Sequence, residues 1–258
     1  MRFFPALLLS AALACAAEAP TLDHAKYAAA LKAFRQGQTP SIAALADASP
    51  EVRRAALDDL RERLVDEPSS PLATQAGEAL TKVDLATARL LLAALAEAKA
   101  TSTAPQVAAL AAKKDSPLQA EAALALAELG GAKAVPILAR LAKDEAIQEE
   151  IVAALAKASG PGVTDAFNAG IADQQLDAAG RTALIKAAIL RNNRAVAPAL
   201  CGLLTEEPMR LEAQKALLKL ARTEDVPALK QAVAGVKNAA TKAALERLIA
   251  KFSQPSDK

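Results

Sequence analysis

One anchor pattern recurs along this chain and constrains its fold more than any other feature. An apolar residue is followed eight positions later by Leu or Ala at Val52 and Leu60, Leu85 and Ala93, Leu118 and Leu126, Ile147 and Leu155, Leu176 and Leu184, Met209 and Leu217, and Ala240 and Leu248. Successive anchors lie 33, 33, 29, 29, 33 and 31 residues apart. Eight residues of α-helix end about 80° beyond two full turns, and Ala or Leu between the anchors fills the same side, so each segment reads as an amphipathic helix. A period of this size marks an architecture in which each unit buries its apolar face against the next.

Composition fits helices better than strands. Sheets draw on Val, Ile, Thr and aromatic residues, whereas this chain of 258 residues has six aromatic residues (Phe3, Phe4, Tyr27, Phe34, Phe167 and Phe252) and no Trp. Ala and Leu, the strong helix formers, dominate instead. The expected fold is therefore all-α: an α-solenoid of about seven stacked helical hairpins with the 29- to 33-residue period, preceded by an N-terminal capping helix. A shorter apolar helix precedes each anchored one, giving hairpins at Thr39 to Pro71, Leu72 to Thr103, Ala104 to Lys133, Ala134 to Gly162, Val163 to Arg194, Ala195 to Asp225, and Val226 to Phe252. Pro40, Pro105, Pro136, Pro198 and Pro227 fall near the starts of first helices, and Pro50, Pro117 and Pro208 just before second ones, where a missing N–H costs little. Ser116 with Gln119 suggests a capping box. Thr21 to Gln36 predicts the capping helix, with Tyr27, Leu31 and Phe34 covering the end of the array. The polar tail from Ser253 to Lys258 predicts a frayed end.

The N-terminus predicts export. Arg2, an apolar run from Leu7 to Ala14 and the small residues Ala14-Cys15-Ala16 follow the layout of a secretory signal peptide covering residues 1–16, which leaves a single domain over 17–258. The run stops at Glu18 and Pro20, short of the ~20 apolar residues of a spanning helix, so no transmembrane span is expected. Ala12-Leu13-Ala14-Cys15 also resembles a lipobox with its Leu one position late, and on that alternative Cys15 carries a lipid anchor and the protein is an outer-membrane lipoprotein. Otherwise the exported chain is periplasmic or extracellular and keeps only Cys201. That residue lies between Leu200 and Leu203 and reads as a buried, unreactive thiol.

Three stretches carry a family resemblance. Ser49-Pro50-Glu51-Val52-Arg53-Arg54-Ala55-Ala56-Leu57, the run from Leu118 to Gly130, and Met209-Arg210-Leu211-Glu212-Ala213-Gln214-Lys215-Ala216-Leu217 resemble the second helix of HEAT repeats. The likeness is to the short HEAT-like repeats of phycobilisome lyases, whose pattern runs Val-Arg, two variable residues, Ala-Ala, one variable residue, Ala-Leu. Ala134-Val135-Pro136-Ile137-Leu138 and Val226-Pro227-Ala228-Leu229 resemble the first helix of that repeat. The second unit departs from it by lacking the Arg and the Ala pair, the fifth by Gly180 where Ala is expected, and the seventh by Ala240 as its anchor. Because the matching residues are packing positions, the resemblance implies a repeat type rather than an activity. It also implies an alternative function, as a subunit or accessory factor of an enzyme related to phycobilin lyases.

Reactive constellations are scarce. The sequence contains no phosphate-binding glycine loop, dinucleotide fingerprint, nucleophile elbow or Ser-x-x-Lys, and a single His cannot build a multi-histidine metal site. No catalytic residue, cofactor or metal is therefore expected. His24 beside Asp23, and the pairs Asp58-Asp59 and Glu149-Glu150, read as solvated helix positions; Gly160-Pro161-Gly162 reads as a turn between units.

The remaining signals concern partners. The formal charge of +2 lacks the basic excess of nucleic-acid binders, and the few aromatics argue against stacking platforms for single strands or sugars. Charge is nevertheless uneven, with 12 basic and 15 acidic residues over 17–130 against 18 and 14 over 131–258. One position after each anchor lie Arg53, Ala86, Gln119, Gln148, Asp177, Arg210 and Thr241, which stacking would set in one row along the second helices. Arg53, Gln119, Gln148, Asp177 and Arg210 are accordingly the candidate contacts to a protein or peptide partner, with inter-repeat packing as the competing role for the arginines. The function expected from the sequence is an exported, non-catalytic scaffold.

Overall fold

The computed structural model describes residues 22–38 and 40–253, and among these every regular element is helical. In chain order the α-helices are α1 (His24–Arg35), α2 (Ser41–Ala44), α3 (Pro50–Asp66), α4 (Pro71–Ala79), α5 (Leu85–Glu97), α6 (Ala104–Ala111), α7 (Gln119–Leu141), α8 (Gln148–Lys157), α9 (Val163–Ala172), α10 (Ala178–Leu190), α11 (Ala197–Gly202), α12 (Arg210–Leu220), α13 (Val226–Gly235) and α14 (Ala239–Ser253), with short 3-10 turns between several of them. The expected signal peptide, Cys15 and the last residues of the tail lie outside the described residues.

Internal contacts divide the chain into two units, one ending at Asp59 and one starting at Leu60, so that the division runs through α3. In the first unit Asp23 caps α1 by accepting from the Ala25 and Lys26 N–H groups. Phe34 of the same helix is buried, and the Tyr27 hydroxyl donates to Asp58 Oδ2 at 2.9 Å.

The second unit is built by packing between near neighbours in the chain. Helices α5, α7, α8, α10, α12 and α14 each pack against the next in that order; α4 packs on α6, α9 on α11 and α11 on α13. Its core consists of large apolar residues such as Leu91, Leu126, Ile151, Leu155, Phe167 and Leu184, interleaved with fully buried alanines including Ala122, Ala123, Ala154, Ala187, Ala213 and Ala216. Side chains this small let backbones approach closely, and burying them costs almost no rotamer entropy.

Most anchors lie in this core: Leu60, Leu118, Leu126, Ile147, Leu155, Leu184, Met209, Leu217 and Leu248 are all buried. Five expected anchors are not, and of these Val52 and Leu176 are half-buried. Leu85 is 42% exposed, and Ala93 and Ala240 are also exposed. Asp84 caps α5 by accepting from the Thr87 N–H, which puts Leu85 on the open first turn, and the buried stripe runs through Ala88, Leu91, Leu92 and Leu95. Prolines stand at the first turns of α4, α6, α11 and α13, which never had those N–H groups to satisfy. Ser116 Oγ accepts from the Leu118 N–H at 3.3 Å in the turn before α7, whose N-cap is Leu118, and the expected box with Gln119 does not form.

The expected unit boundary at Lys133 and Ala134 also moves. In α7 the backbone leaves helical geometry at Gly131 (φ 50°, ψ −132°), so the element holds two arms, 119–130 and 132–141, with Pro136 inside the second. Positive φ is open to glycine at little cost, and the Gly130-Gly131 pair supplies the break. Helix α7 is the described helix long and apolar enough to cross a membrane, with 56% of its most apolar stretch buried in the protein. Each arm falls short of the ~20 residues a span needs.

Gly180 explains one departure from the family pattern. A Cβ at this position would lie 2.6 Å from the Ala139 carbonyl oxygen and 2.8 Å from Leu176 Cδ1. Alanine would gain about 1 kcal/mol of helix propensity, but overpacking against backbone costs about 1–3 kcal/mol. Gly180→Ala is therefore expected to destabilise the protein by up to ~2 kcal/mol, read as a lower urea midpoint with unchanged slope.

Candidate interaction face

The candidate row is tied into the fold by its own hydrogen bonds. In the first unit Arg53 is half-buried and donates through Nη1 to the carbonyls of Asp47 (2.6 Å) and Ala48 (3.1 Å), closing the turn after α2. In the second unit Gln119 is buried, Gln148 Nε2 donates to the Ala142 carbonyl at 3.1 Å, and Asp177 is the exposed N-cap of α10, accepting from the Gly180 N–H at 2.7 Å. Arg210 pairs with Glu207 and donates through Nη1 to Thr241 Oγ1 at 2.8 Å, which links α12 to α14. Ala86 is exposed and Thr241 is buried. Gln148 thus satisfies the carbonyl of Ala142, the C-cap of α7, whereas Arg53 holds carbonyls of the loop between α2 and α3.

Two arginines that the sequence did not single out perform the same task more deeply. Arg181, 6% exposed, donates through Nε to the Ile171 carbonyl near the end of α9 and pairs with Glu206 at 2.8 Å. Arg191 reaches the end of α8, donating to the carbonyls of Leu155, Ala156 and Ala158, and its guanidinium lies 5.3 Å from the Phe167 ring centroid. Burial holds its pKa below the usual arginine value. Ion pairs also cross between neighbouring helices at Arg61 and Glu97 (2.7 Å) and at Arg89 and Glu121 (3.0 Å). The only sequence signal for these roles is an Arg near the end or start of a second helix.

The other singled-out groups have structural surroundings. His24 is exposed in the first turn of α1. Asp58 accepts from Tyr27 and from Arg54 Nε at 3.0 Å. Asp59, expected on a solvated face, is instead 2% exposed, because its position falls on the buried side of α3 together with Ala55, Ala56 and Leu60. Glu149 is exposed and Glu150 is half-buried in the first turn of α8, where negative charge suits the helix dipole. Gly160 (φ 111°) and Gly162 (φ 75°) make the turn that enters α9. Cys201 is buried, and desolvation, with Asp225 adding to it, pushes its thiol pKa up to about 11. Among the described residues no three His, Cys, Asp or Glu side chains gather where a metal could bind.

The described hollows are surface clefts between or along helices. One, of about 440 Å³, is lined by Arg63, Asp66, Glu67, Ser70, Pro71, Leu72 and Gln75; another, of about 420 Å³, lies around Lys114, Gln119, Lys143, Asp144 and Glu145. The first presents mainly polar surface, unlike the largely apolar pockets that enclose small molecules, while Ala112 and Leu141 give the second more apolar than polar surface. No model of a known protein family and no curated protein matches the sequence.

Proposed function

We propose that the protein is an exported α-solenoid of seven short HEAT-like hairpins that acts as a non-catalytic scaffold, holding a protein or peptide partner on the face lined by its second helices. The observation that carries this reading is the ordered packing of α5, α7, α8, α10, α12 and α14, each against the next, since such a series offers one continuous surface made from many units. Each of the helices α8, α10 and α12 leaves a strip of its surface open, with Ala153 and Lys157 on α8, Lys186 and Leu190 on α10, and Leu211, Lys215 and Leu218 on α12. The layout of residues 1–16, with Arg2, the apolar run from Leu7 to Ala14 and the small residues that follow, supports export.

Site-specific photo-crosslinking in the native cell tests the reading. A crosslinker at Ala153 or Lys215 is expected to capture a discrete partner, whereas one at Arg140 or Lys230, on first helices, is not. Equal capture from both sets, or capture from neither, overturns the proposed face. The isolated protein is expected to begin near Ala17, and N-terminal sequencing that finds Met1 retained overturns export.

A further inference from the structure

Helices α10 and α12 pack against each other and leave open sides of one kind. Apart from Ala178 at the start of α10, their exposed residues are Lys186 and Leu190 on α10 and Leu211, Lys215, Leu218 and Lys219 on α12. Leu190 is 66% exposed, Leu211 53% and Leu218 47%. Helix α10 contains no acidic residue, and the single acid of α12, Glu212, is half-buried and bound to Lys215 at 2.8 Å. Lys186 and Lys219 make no ion pair among the described residues. The open surface of the two helices is therefore apolar and positive, with no exposed acid on either.

Helix geometry gathers these side chains. At ~100° per residue, Leu211, Lys215 and Leu218 fall within ~60° of one another around α12 and Lys219 about 40° further round, while Lys186 and Leu190 stand ~40° apart on α10. Helix α9 lies behind α10, α11 lies behind α12, and α9 packs on α11. Both strips therefore open on the side away from these first helices, on axes ~8–10 Å apart. Local stability accounts for little of this. Lys219 stands in the last turn of α12, where a cation suits the helix dipole, but Lys186 stands in the body of α10 and the three leucines lie outside the core. A lone surface leucine is ordinary, whereas three on two neighbouring helices form the kind of apolar patch that marks an interaction site.

The charges decide what can cover this patch. Three lysines with no exposed acid beside them call for carboxylates, and the leucines between them call for apolar side chains. An amphipathic segment supplies both when apolar residues at i, i+3 or i+4, and i+7 lie on the leucines and Asp or Glu flank them. An anionic bilayer meets the same charges but not the same geometry. Membrane-surface helices keep their basic and apolar sides apart, whereas Lys215 lies on one line with Leu211 and Leu218, so sinking the leucines into the acyl layer would take the ammonium with them. We infer that the open side of α10 and α12 binds an acidic amphipathic peptide segment. This site specifies the partner of the proposed scaffold and so depends on that reading of the protein.

Selection of the full chain against a displayed library of random ~16-residue peptides tests it, with affinities of the enriched peptides read by fluorescence anisotropy. Enriched sequences are expected to carry several Asp or Glu around Leu, Ile or Phe at helical spacing. Their Kd is expected to rise at least ~10-fold for Lys186→Glu, Lys215→Glu and Lys219→Glu together, and at least ~10-fold between ~20 mM and ~0.5 M salt as screening shortens the reach of the charges. No enrichment, enrichment of basic or uncharged sequences, or acidic peptides that bind the triple variant as they bind the wild type overturns the site. Lysine-dependent binding to phosphatidylglycerol vesicles without capture of any acidic peptide overturns it in favour of a membrane surface. The wild-type salt titration decides even if the triple variant fails to fold. A partner crosslinked from Ala153 or Lys215 that has no acidic segment would remove this site and leave the scaffold standing.

Discussion

Leu126→Asp is expected to abolish the cooperative thermal transition of the protein or to lower its Tm by about 10 °C or more. Leu126 is 1% exposed in the first arm of α7, the helix against which α5, α6, α8, α9 and α10 all pack. Its fit is close: a Cβ added at Gly130 would come within 3.3 Å of Leu126 Cδ1. Arg181, the buried cation among the described residues, is already paired with Glu206, so a carboxylate in place of Leu126 either stays charged without a partner or takes up a proton. Both outcomes add to the loss of a buried Leu, for a cost of about 4–5 kcal/mol against a total stability of only ~5–15 kcal/mol. Leu90→Asp supplies the comparison, since Leu90 is 47% exposed on α5, and a surface change of this kind moves stability by roughly 0.5 kcal/mol or less. Circular-dichroism melts of the two variants measure the difference. A Leu126→Asp melt that overlays the wild type would show that this position faces solvent.

The contrast between Leu126 and Leu90 also shows what the sequence could convey. Where a second helix mixes polar and apolar residues, as in α8 and α12, the apolar period separates the faces and the buried anchors Leu155 and Leu217 are legible. Helix α5 reads Leu-Ala-Thr-Ala-Arg-Leu-Leu-Leu-Ala-Ala-Leu-Ala-Glu, and there almost every position is apolar. Periodicity then no longer picks one stripe, so Leu85 and Ala93 were indistinguishable from Leu91 and Leu95 until the Asp84 cap fixed the register. Gly130-Gly131 held the signal for the break in α7, but a glycine pair marks a turn only to within a residue or two. The hydrogen bonds of Arg53 and Gln148 were not legible, because both side chains reach backbone carbonyls that carry no side-chain signature. Arg181 and Arg191 escaped notice for the same reason: the groups they satisfy are main-chain oxygens, in the case of Arg191 more than thirty residues upstream.

Arg191→Ala is expected to cost about 2–4 kcal/mol. The last carbonyls of α8 have no partner within the helix, and the negative end of its dipole gathers there. Arg191 answers both needs, bringing one guanidinium to the carbonyls of Leu155, Ala156 and Ala158 while its plane covers the Phe167 ring. Removing it leaves those oxygens poorly served and uncovers Phe167, which is fully buried in the wild type. Lysine cannot replace it: an ammonium is a strongly hydrated point charge and lacks the planar fork that spans several acceptors while stacking on a ring. Arg191→Lys is therefore expected to recover less than half of the lost stability. Arg194→Ala, at an exposed arginine whose one side-chain bond is a 3.4 Å contact to Asn192, is expected to change almost nothing. Urea denaturation of the three variants separates the contributions. If lysine restores the wild-type midpoint, charge at the helix end suffices; if it does not, the stabilisation depends on the shape of the guanidinium as well as its charge.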